Sequence, residues 1–182
     1  MLTQRSALEL VGHEAIVREM YLDSVRVPTW GIGVTTASGH AVERYKDNPQ
    51  SIEKCIAVFL WLIENKYMPD VLVAFKGHVL KEHELAAAVS FHYNTGAIKR
   101  ATWVKSFLAG RKIDARAQFM NWNKPPEIKA RRAAERDLFF DAKWAGDGKA
   151  TLYAVSKPSY HPNWRSAKRI DIRADLEKAM AS

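Results

Sequence analysis

The segment from His13 to Thr35 constrains the fold most, because it interrupts a chain whose other segments mostly show helical spacing. Apolar residues recur at helical spacing up to Val11, and β-branched and aromatic residues then replace that pattern. Pro28 and two glycines break this stretch, which predicts short twisted strands joined by turns. We therefore expect a first helix followed by a small β region.

Two carboxyl groups and one hydroxyl in this segment have the chemistry of an acid–base site. Glu14 falls on or just past the last turn of the predicted helix, where the helix dipole disfavours an ionised carboxylate, as a general acid requires. Asp23 falls in a predicted turn, where it can be hydrogen-bonded and ionised, and Thr29 offers a hydroxyl that can orient water. Two carboxyls in contrasting surroundings are what glycoside hydrolysis needs.

Three blocks of the sequence share the pattern of one family. The first block has the acid Glu14, then Y-x-D at residues 21–23 and T-x-G-x-G at residues 29–33. The second reads AVSFHYNTG at residues 88–96, and the third, at residues 119–139, has F-x-x-W, a proline turn and a charged helix. Together these blocks resemble the phage-lysozyme (endolysin) family, glycoside hydrolase family 24.

The resemblance implies an α+β, lysozyme-like fold with a small β-lobe, a larger helical lobe and a cleft between them. It implies that Glu14 is the general acid, that Asp23 has a water-positioning or nucleophile-like role and that Thr29 is the partner of that water. The expected reaction is hydrolysis, with inversion, of the β-1,4 bond between N-acetylmuramic acid and N-acetylglucosamine in peptidoglycan, without a cofactor. Ala15 and Arg26 replace glycines that are common in the family, which changes the turns but removes no functional group.

Four further residues are predicted to contact the substrate. Asn94 can donate and accept hydrogen bonds at once, which suits the acetamido and hydroxyl groups of an amino sugar, and Tyr93 supplies an aromatic edge beside it. Trp122 is a candidate for lining the cleft, and Thr35 is a candidate at the end of the first block. Two structural interpretations stay open, because the Asn94 segment can simply end a helix at a left-handed glycine and Trp122 can pack in the core.

Helical spacing predicts most of the chain between the β region and the C-terminal part. The predicted helices cover residues 51–66, a short segment after Pro69, residues 81–94, short segments on either side of Gly110, and residues 127–140. The helix at 81–94 is expected to be the most buried, because it has little polar face. Arg131 and Glu135 are expected to form an i,i+4 pair worth only a few tenths of a kcal/mol.

Residues 1–140 are predicted to form the catalytic domain, and residues 141–182 a basic, aromatic extension with eight Lys or Arg and five Asp or Glu. Within the extension, residues 150–155 alternate like a strand, residues 157–163 resemble an irregular linker, and residues 169–180 resemble a short amphipathic helix. Interleaved basic and aromatic residues can bind glycans or single-stranded nucleic acid. A segment this short more often packs back on its own domain, which is the interpretation we favour.

The net charge of +8 implies an anionic partner. With the family resemblance, that partner is expected to be the glycan strands of peptidoglycan, with no stable nucleic-acid or membrane partner and a monomeric protein. Acidic residues interrupt the apolar N-terminal residues, so neither a signal peptide nor a membrane anchor is expected. The protein would then stay in the host cytoplasm until a holin lets it reach peptidoglycan in the periplasm.

Two other functions explain part of the sequence. A lytic transglycosylase cleaves the same bond with one acid and no water, and the presence of Asp23 and Thr29 argues against it. A basic helical nucleic-acid-binding protein explains the charge, but it does not explain residues 29–33, and no recognition-helix or zinc motif is present. The six histidines lack the spacing of metal ligands, so no metal site is expected. The single Cys55 excludes an intramolecular disulfide.

Overall fold

The computed structural model describes residues 2–181 and divides the chain into two compact units. The sheet unit comprises residues 2–62 and 146–181, and the helical unit comprises residues 63–145. Helices and a mixed sheet are both present, so the predicted α+β class is confirmed. None of the helices among residues 2–181 is long and apolar enough to cross a membrane.

The N-terminal part of the sheet unit forms as predicted. Helix α1 (Gln4–Gly12) is followed by strands β1 (Ala15–Leu22), β2 (Pro28–Gly31) and β3 (Val34–Thr35). The three strands pair in antiparallel order. Two 3-10 turns and helix α2 (Ile52–Leu62) complete this part of the unit.

The helical unit begins with a π-helical turn at Ile63–Tyr67, which continues α2. The helices that follow are α3 (Met68–Ala74), α4 (Glu82–Thr95), α5 (Thr102–Leu108), α6 (Lys112–Phe119) and α7 (Lys129–Asp141). All of them were expected from apolar spacing, and α4 is buried along residues 86–92, as its small polar face predicts. The sequence-based helix predictions are therefore confirmed.

Aromatic rings fill the centre of the helical unit. The ring of Trp103 lies 4.6 Å from that of Phe119, 5.0 Å from that of Phe139 and 5.3 Å from that of Phe91, measured between centroids. Tilted and edge-on contacts of this kind add about 0.5–1.5 kcal/mol each beyond the apolar area that they bury. The helices that carry these rings are therefore fixed to one another by their side chains.

A buried ionic network connects α7 to α4. Arg132 and Glu135 are both 0% exposed and form an ion pair. Glu135 Oε1 accepts hydrogen bonds from Ser90 Oγ at 2.6 Å and from Arg131 Nε at 2.9 Å. The predicted pairing of Arg131 with Glu135 is confirmed. The energy of a few tenths of a kcal/mol describes exposed pairs, whereas Glu135 is buried.

The C-terminal segment extends the sheet. Strands β4 (Lys149–Val155) and β5 (Pro162–Asp171) give the strand order β3-β2-β1-β4-β5. Strand β4 runs parallel to β1, and β5 runs antiparallel to β4. Helix α8 (Arg173–Ala181) packs against α1 and α2, with Leu176 fully buried.

The predicted strand at 150–155 is confirmed, whereas the predicted helix at 169–180 is wrong in its first residues. Residues 169–171 belong to β5, where Ile170 lies opposite Ala150 of β4. The predicted linker at 157–163 also ends early, because β5 already begins at Pro162. The apolar residues Ile170 and Ile172 are two apart, a spacing that a strand satisfies better than a helix.

We expect the substitution Glu135→Leu to lower the free energy of unfolding by about 3–5 kcal/mol, because it leaves two arginines beside a buried site without their carboxylate. The double substitution Arg132→Met with Glu135→Leu should recover part of that loss, since the fully buried guanidinium is then removed with its carboxylate and only Arg131, which is 12% exposed, loses a partner. Urea unfolding followed by tryptophan fluorescence measures both values. Glu127→Ala, at an exposed glutamate, is the control, and an equal loss in that variant would contradict the prediction.

Candidate active site

Glu14 lies where the sequence predicts it, immediately after the first helix. Helix α1 ends at Gly12, His13 is its C-cap, and the backbone N–H of Glu14 donates to Val11 O at 3.0 Å. The glutamate is half-buried, and β1 begins at the next residue. The position of its backbone is therefore fixed by a helix end on one side and a strand on the other.

Asp23 lies in the turn between β1 and β2. Its Oδ1 accepts hydrogen bonds from Val25 N at 2.9 Å and from Val27 N at 2.8 Å, and its own N–H donates to Val27 O at 3.1 Å. One carboxylate oxygen thus holds the turn, and Oδ2 is left for another donor. Arg26 takes a φ of 65° in this turn, the left-handed conformation that glycine adopts with least strain.

Thr29 is on β2, buried to 4% exposure, and lies opposite Tyr21 of β1 and Thr35 of β3. Directly opposite residues of neighbouring strands project to the same face of a sheet. Tyr21, Thr29 and Thr35 therefore form one row across three strands. The Oγ1–H of Thr29 donates to Val27 O at 3.0 Å. Because this hydroxyl proton is engaged within the turn, the oxygen can only accept a further hydrogen bond.

Tyr21 lies two residues before Asp23 and directly opposite Thr29. Burial raises the pKa of the Tyr21 phenol, and the negative charges of Glu14 and Asp23 raise it further. The sequence interpretation assigned no role to Tyr21. Its position opposite Thr29 follows from the hairpin register, which the sequence alone does not show.

A bulge in β1 is held by Trp30. Val17 and Tyr21 of β1 are four residues apart, but their partners Gly31 and Thr29 on β2 are two residues apart. Strand β1 therefore carries two extra residues between Val17 and Tyr21, the segment that contains Arg18. The carbonyl of Arg18 accepts from the Trp30 indole N–H at 2.9 Å, and the indole is fully buried against Tyr45 at a centroid distance of 4.1 Å. This packing fixes the part of β2 that carries Thr29.

Gly31, which follows Trp30, takes a φ of 65°. A Cβ at this position would meet only ordinary contacts, with Cys55 at 3.6 Å as the nearest neighbour. The glycine is therefore required by the backbone angle of the turn and not by lack of space. This is the physical reason for the first glycine of the T-x-G-x-G pattern.

In the helical unit, Asn94 and Trp122 line one cavity of about 340 Å³, whose wall also includes Arg132 and Lys124. Arg132 donates to Asn94 Oδ1, and its Nε donates to Trp122 O at 2.9 Å. The structure thus brings Asn94 and Trp122 together through one buried guanidinium. Both side chains are accessible from this cavity.

Tyr93 does not line that cavity and instead contacts Tyr67, with ring centroids 4.8 Å apart. Gly96 follows the helix with a φ of 62°, so the predicted left-handed helix cap is confirmed. Capping and substrate contact are compatible, since the amide of Asn94 is exposed at that helix end. Among residues 2–181, no three His, Cys, Asp or Glu side chains are grouped so that they could hold a metal ion.

Comparisons with known proteins give a consistent result. A family model described as phage lysozyme matches residues 11–135. The endolysin from Escherichia coli O157:H7 phage FAHEc1 is similar in structure, with a TM-score of 0.67 and 23% identity, over 79% of this chain and 96% of that chain. No curated protein matches the sequence significantly.

Two more solved structures share the fold. A mutant of P22 lysozyme has a TM-score of 0.63 and 22% identity, over 76% of this chain and 97% of that chain. The active form of P1 phage endolysin Lyz has a TM-score of 0.61 and 19% identity, over 78% of this chain and 85% of that chain. At these identities the structural matches show a common fold, whereas the family model covers more than half of the sequence.

The turn at Asp23 makes a prediction about stability that does not depend on activity. We expect Asp23→Ala to lower the free energy of unfolding by about 1–2 kcal/mol, because two backbone N–H groups lose their acceptor. Asp23→Asn keeps an oxygen at the same place and should change stability by less than about 0.5 kcal/mol. Urea unfolding tests this, with Asp114→Ala in an exposed ion pair as the control. Equal losses in the Asn and Ala variants would show that Oδ1 does not hold the turn.

Proposed function

The chain belongs to the phage lysozyme family and is a glycoside hydrolase that acts on peptidoglycan, and we propose that Glu14, Asp23 and Thr29 carry out its reaction. The bond cleaved is the β-1,4 bond between N-acetylmuramic acid and N-acetylglucosamine. The observation that supports this most is the placement of Glu14 and Asp23 directly before and after β1, with Thr29 of β2 opposite Tyr21, two residues before Asp23. Two carboxyls and a hydroxyl on one β-hairpin suit the hydrolysis of a glycosidic bond.

In this proposal, Glu14 protonates the glycosidic oxygen as the bond to the anomeric carbon breaks. The proton must come from a carboxyl that is neutral before the reaction, and a half-buried glutamate after a helix C-terminus is in suitable surroundings. The leaving sugar takes the proton, and positive charge develops on the ring of the other sugar. Water then attacks the anomeric carbon of that ring.

The hydrogen bond of Thr29 determines how that water is held. Since the hydroxyl proton of Thr29 is donated to Val27 O, its oxygen can only accept from the water. The carboxylate of Asp23 also accepts, so the water donates both of its protons and directs a lone pair at the anomeric carbon. The water attacks on the face opposite the leaving oxygen while the Asp23 carboxylate takes one of its protons. This inverts the configuration, as in glycosidases that place a water between carboxyl and sugar.

Three residues are proposed to contact the glycan directly, and a fourth is proposed to act through a neighbouring ring. Asn94 and Trp122 would bind an amino sugar at the cavity that they line, with the amide bonded to the acetamido group and the indole against the sugar ring. Thr35 would extend the row of Tyr21 and Thr29. Tyr93 would contribute indirectly, through its ring contact with Tyr67.

The remaining proposals concern the context of the reaction. We propose that the protein acts as a monomer in host-cell lysis and reaches the periplasm through a holin. Residues 1–140 would then be the catalytic domain, with residues 141–182 as its extension, supported by the pairing of β4 with β1. The net charge of +8 would attract the anionic wall, and salt would weaken this attraction.

We expect Glu14→Gln to lower the rate of clearing of permeabilised Gram-negative cells by at least about 10²-fold, because the amide has the same shape but no proton to donate. The fold should be retained, as measured by circular dichroism. Glu177→Gln, at an exposed glutamate of α8, should keep full activity. Mass spectrometry of the released muropeptides adds a second criterion, because 1,6-anhydromuramic ends would indicate a lytic transglycosylase and overturn the hydrolase mechanism.

Thr29 provides a separate test of the water-binding step. Thr29→Val keeps the shape of the side chain but removes the acceptor, so kcat should fall by about 10²-fold while KM changes little. Thr29→Ser keeps the hydroxyl and should retain most of the activity. Steady-state kinetics on soluble glycan chains prepared from peptidoglycan measures both variants. If the valine variant were as active as the serine variant, Thr29 would have no role in holding water.

A further inference from the structure

The C-terminal extension contacts both ends of the strand that separates the two carboxyl groups. Glu14 directly precedes β1 and Asp23 directly follows it. The match to the family model ends at residue 135, so β4, β5 and the turn between them lie outside it. The contacts of these added residues with β1 are therefore a feature that the family pattern does not describe.

At the end near Glu14, the extension holds the last turns of α1. The backbone N–H of Gly146 donates to Glu9 Oε2 at 2.7 Å, and Glu9 is 1% exposed. The other carboxylate oxygen of Glu9 lies 3.1 Å from His13 Nε2. A Cβ at position 146 would lie 3.0 Å from Glu9 Oε2 and 3.2 Å from Glu9 Cα, which is tighter than an ordinary contact, so this close approach favours glycine. Strand β4 then pairs with β1 from Ala15 onward.

At the end near Asp23, the turn between β4 and β5 forms hydrogen bonds with both the backbone N–H and the backbone carbonyl of Leu22. The N–H of Leu22 donates to Tyr160 O at 2.7 Å, and the Leu22 carbonyl lies 3.0 Å from His161 Nδ1. Since a carbonyl only accepts, Nδ1 of His161 carries the proton. The pairing of β1 with β4 is formed by residues 15–17, so Leu22 needs these partners to satisfy its backbone groups.

This turn is itself attached to the N-terminal part of the sheet unit. Lys157 Nζ lies 2.9 Å from Glu19 Oε2 and also pairs with Asp47. The hydroxyl of Tyr160 donates to Asp47 Oδ2 at 2.7 Å. The β4–β5 turn is therefore anchored by the side chains of Lys157 and Tyr160 as well as by its backbone contacts. It can thus restrain Leu22, the residue before Asp23.

We propose that His161 is a positioning residue for Asp23. The β4–β5 turn, which carries His161, fixes the backbone of Leu22, the residue that directly precedes Asp23 and its turn. This inference rests on the proposed function of Asp23. A displacement of about 1 Å in a catalytic group can cost about 10²-fold in rate. Because the His161 imidazole bonds the backbone carbonyl of the residue before Asp23, its loss should affect the position of the water-holding carboxylate more than the binding of the glycan.

The test compares His161→Ala with His161→Asn. The alanine variant should show a kcat about tenfold lower on soluble glycan chains, with KM unchanged, because positioning of Asp23 is lost. The asparagine variant should restore kcat, since its Nδ2 can take about the place of Nδ1 and donate to Leu22 O. Hydrogen exchange of the Leu22 amide and of the Asp23 turn should be faster in His161→Ala than in the wild-type protein.

His83→Ala is the matched control, because His83 Nδ1 lies 2.9 Å from the Leu138 carbonyl in the helical unit. It removes the same kind of bond and should lower the urea midpoint similarly without changing kcat. An unchanged kcat in His161→Ala, or an asparagine variant as slow as the alanine variant, overturns the proposal. Failure of the proposed function looks different: Glu14→Gln or Asp23→Asn would stay active, whatever the exchange data show for His161.

Discussion

The bulge in β1 is the constraint on which the candidate site depends. Nine residue steps separate Glu14 from Asp23, and at about 3.3 Å per step a straight strand would hold their Cα atoms roughly 30 Å apart. Two carboxyls that serve one glycosidic bond must be within about 10 Å of each other. A bulge bends a strand, and the bulge of β1 lies between the two carboxyl-bearing residues, within residues 17–21. The indole of Trp30, bonded to the Arg18 carbonyl, stabilises the bulge.

The other side of β1 is covered by the extension. Without β4 and β5, β1 would be an edge strand, since the order β3-β2-β1 ends there. An edge strand exposes unpaired backbone groups and is free to twist. Pairing with β4 at residues 15–17 and with the β4–β5 turn at Leu22 satisfies these groups. The bulge bends β1, and the pairing of β1 with the extension restrains it.

The sequence predicted the elements whose signals are local. Helices α2 to α7 and the turn at Asp23 follow from apolar spacing, breakers and a side chain that bonds nearby backbone groups. Strand β5 was not predicted, because it depends on a partner strand and its apolar residues also fit a short helix. The burial of Arg132 was not predicted either, since sequence alone shows neither the aromatic ring beside it nor Glu135 in the same interior. Tyr21 required the strand register, which is a tertiary feature.

Buried Arg132 also determines which hydrogen bonds Asn94 can offer. A guanidinium only donates, so the oxygen of the Asn94 amide must face Arg132, and its NH2 group is turned to other partners. A ligand group at this amide must therefore be an acceptor, such as the carbonyl oxygen of an acetamido group. The same arginine bonds Trp122 O, so the amide donor and the indole are held by one side chain. The ionic network of the helical core thus sets the polarity of the cavity as well as the packing of α7.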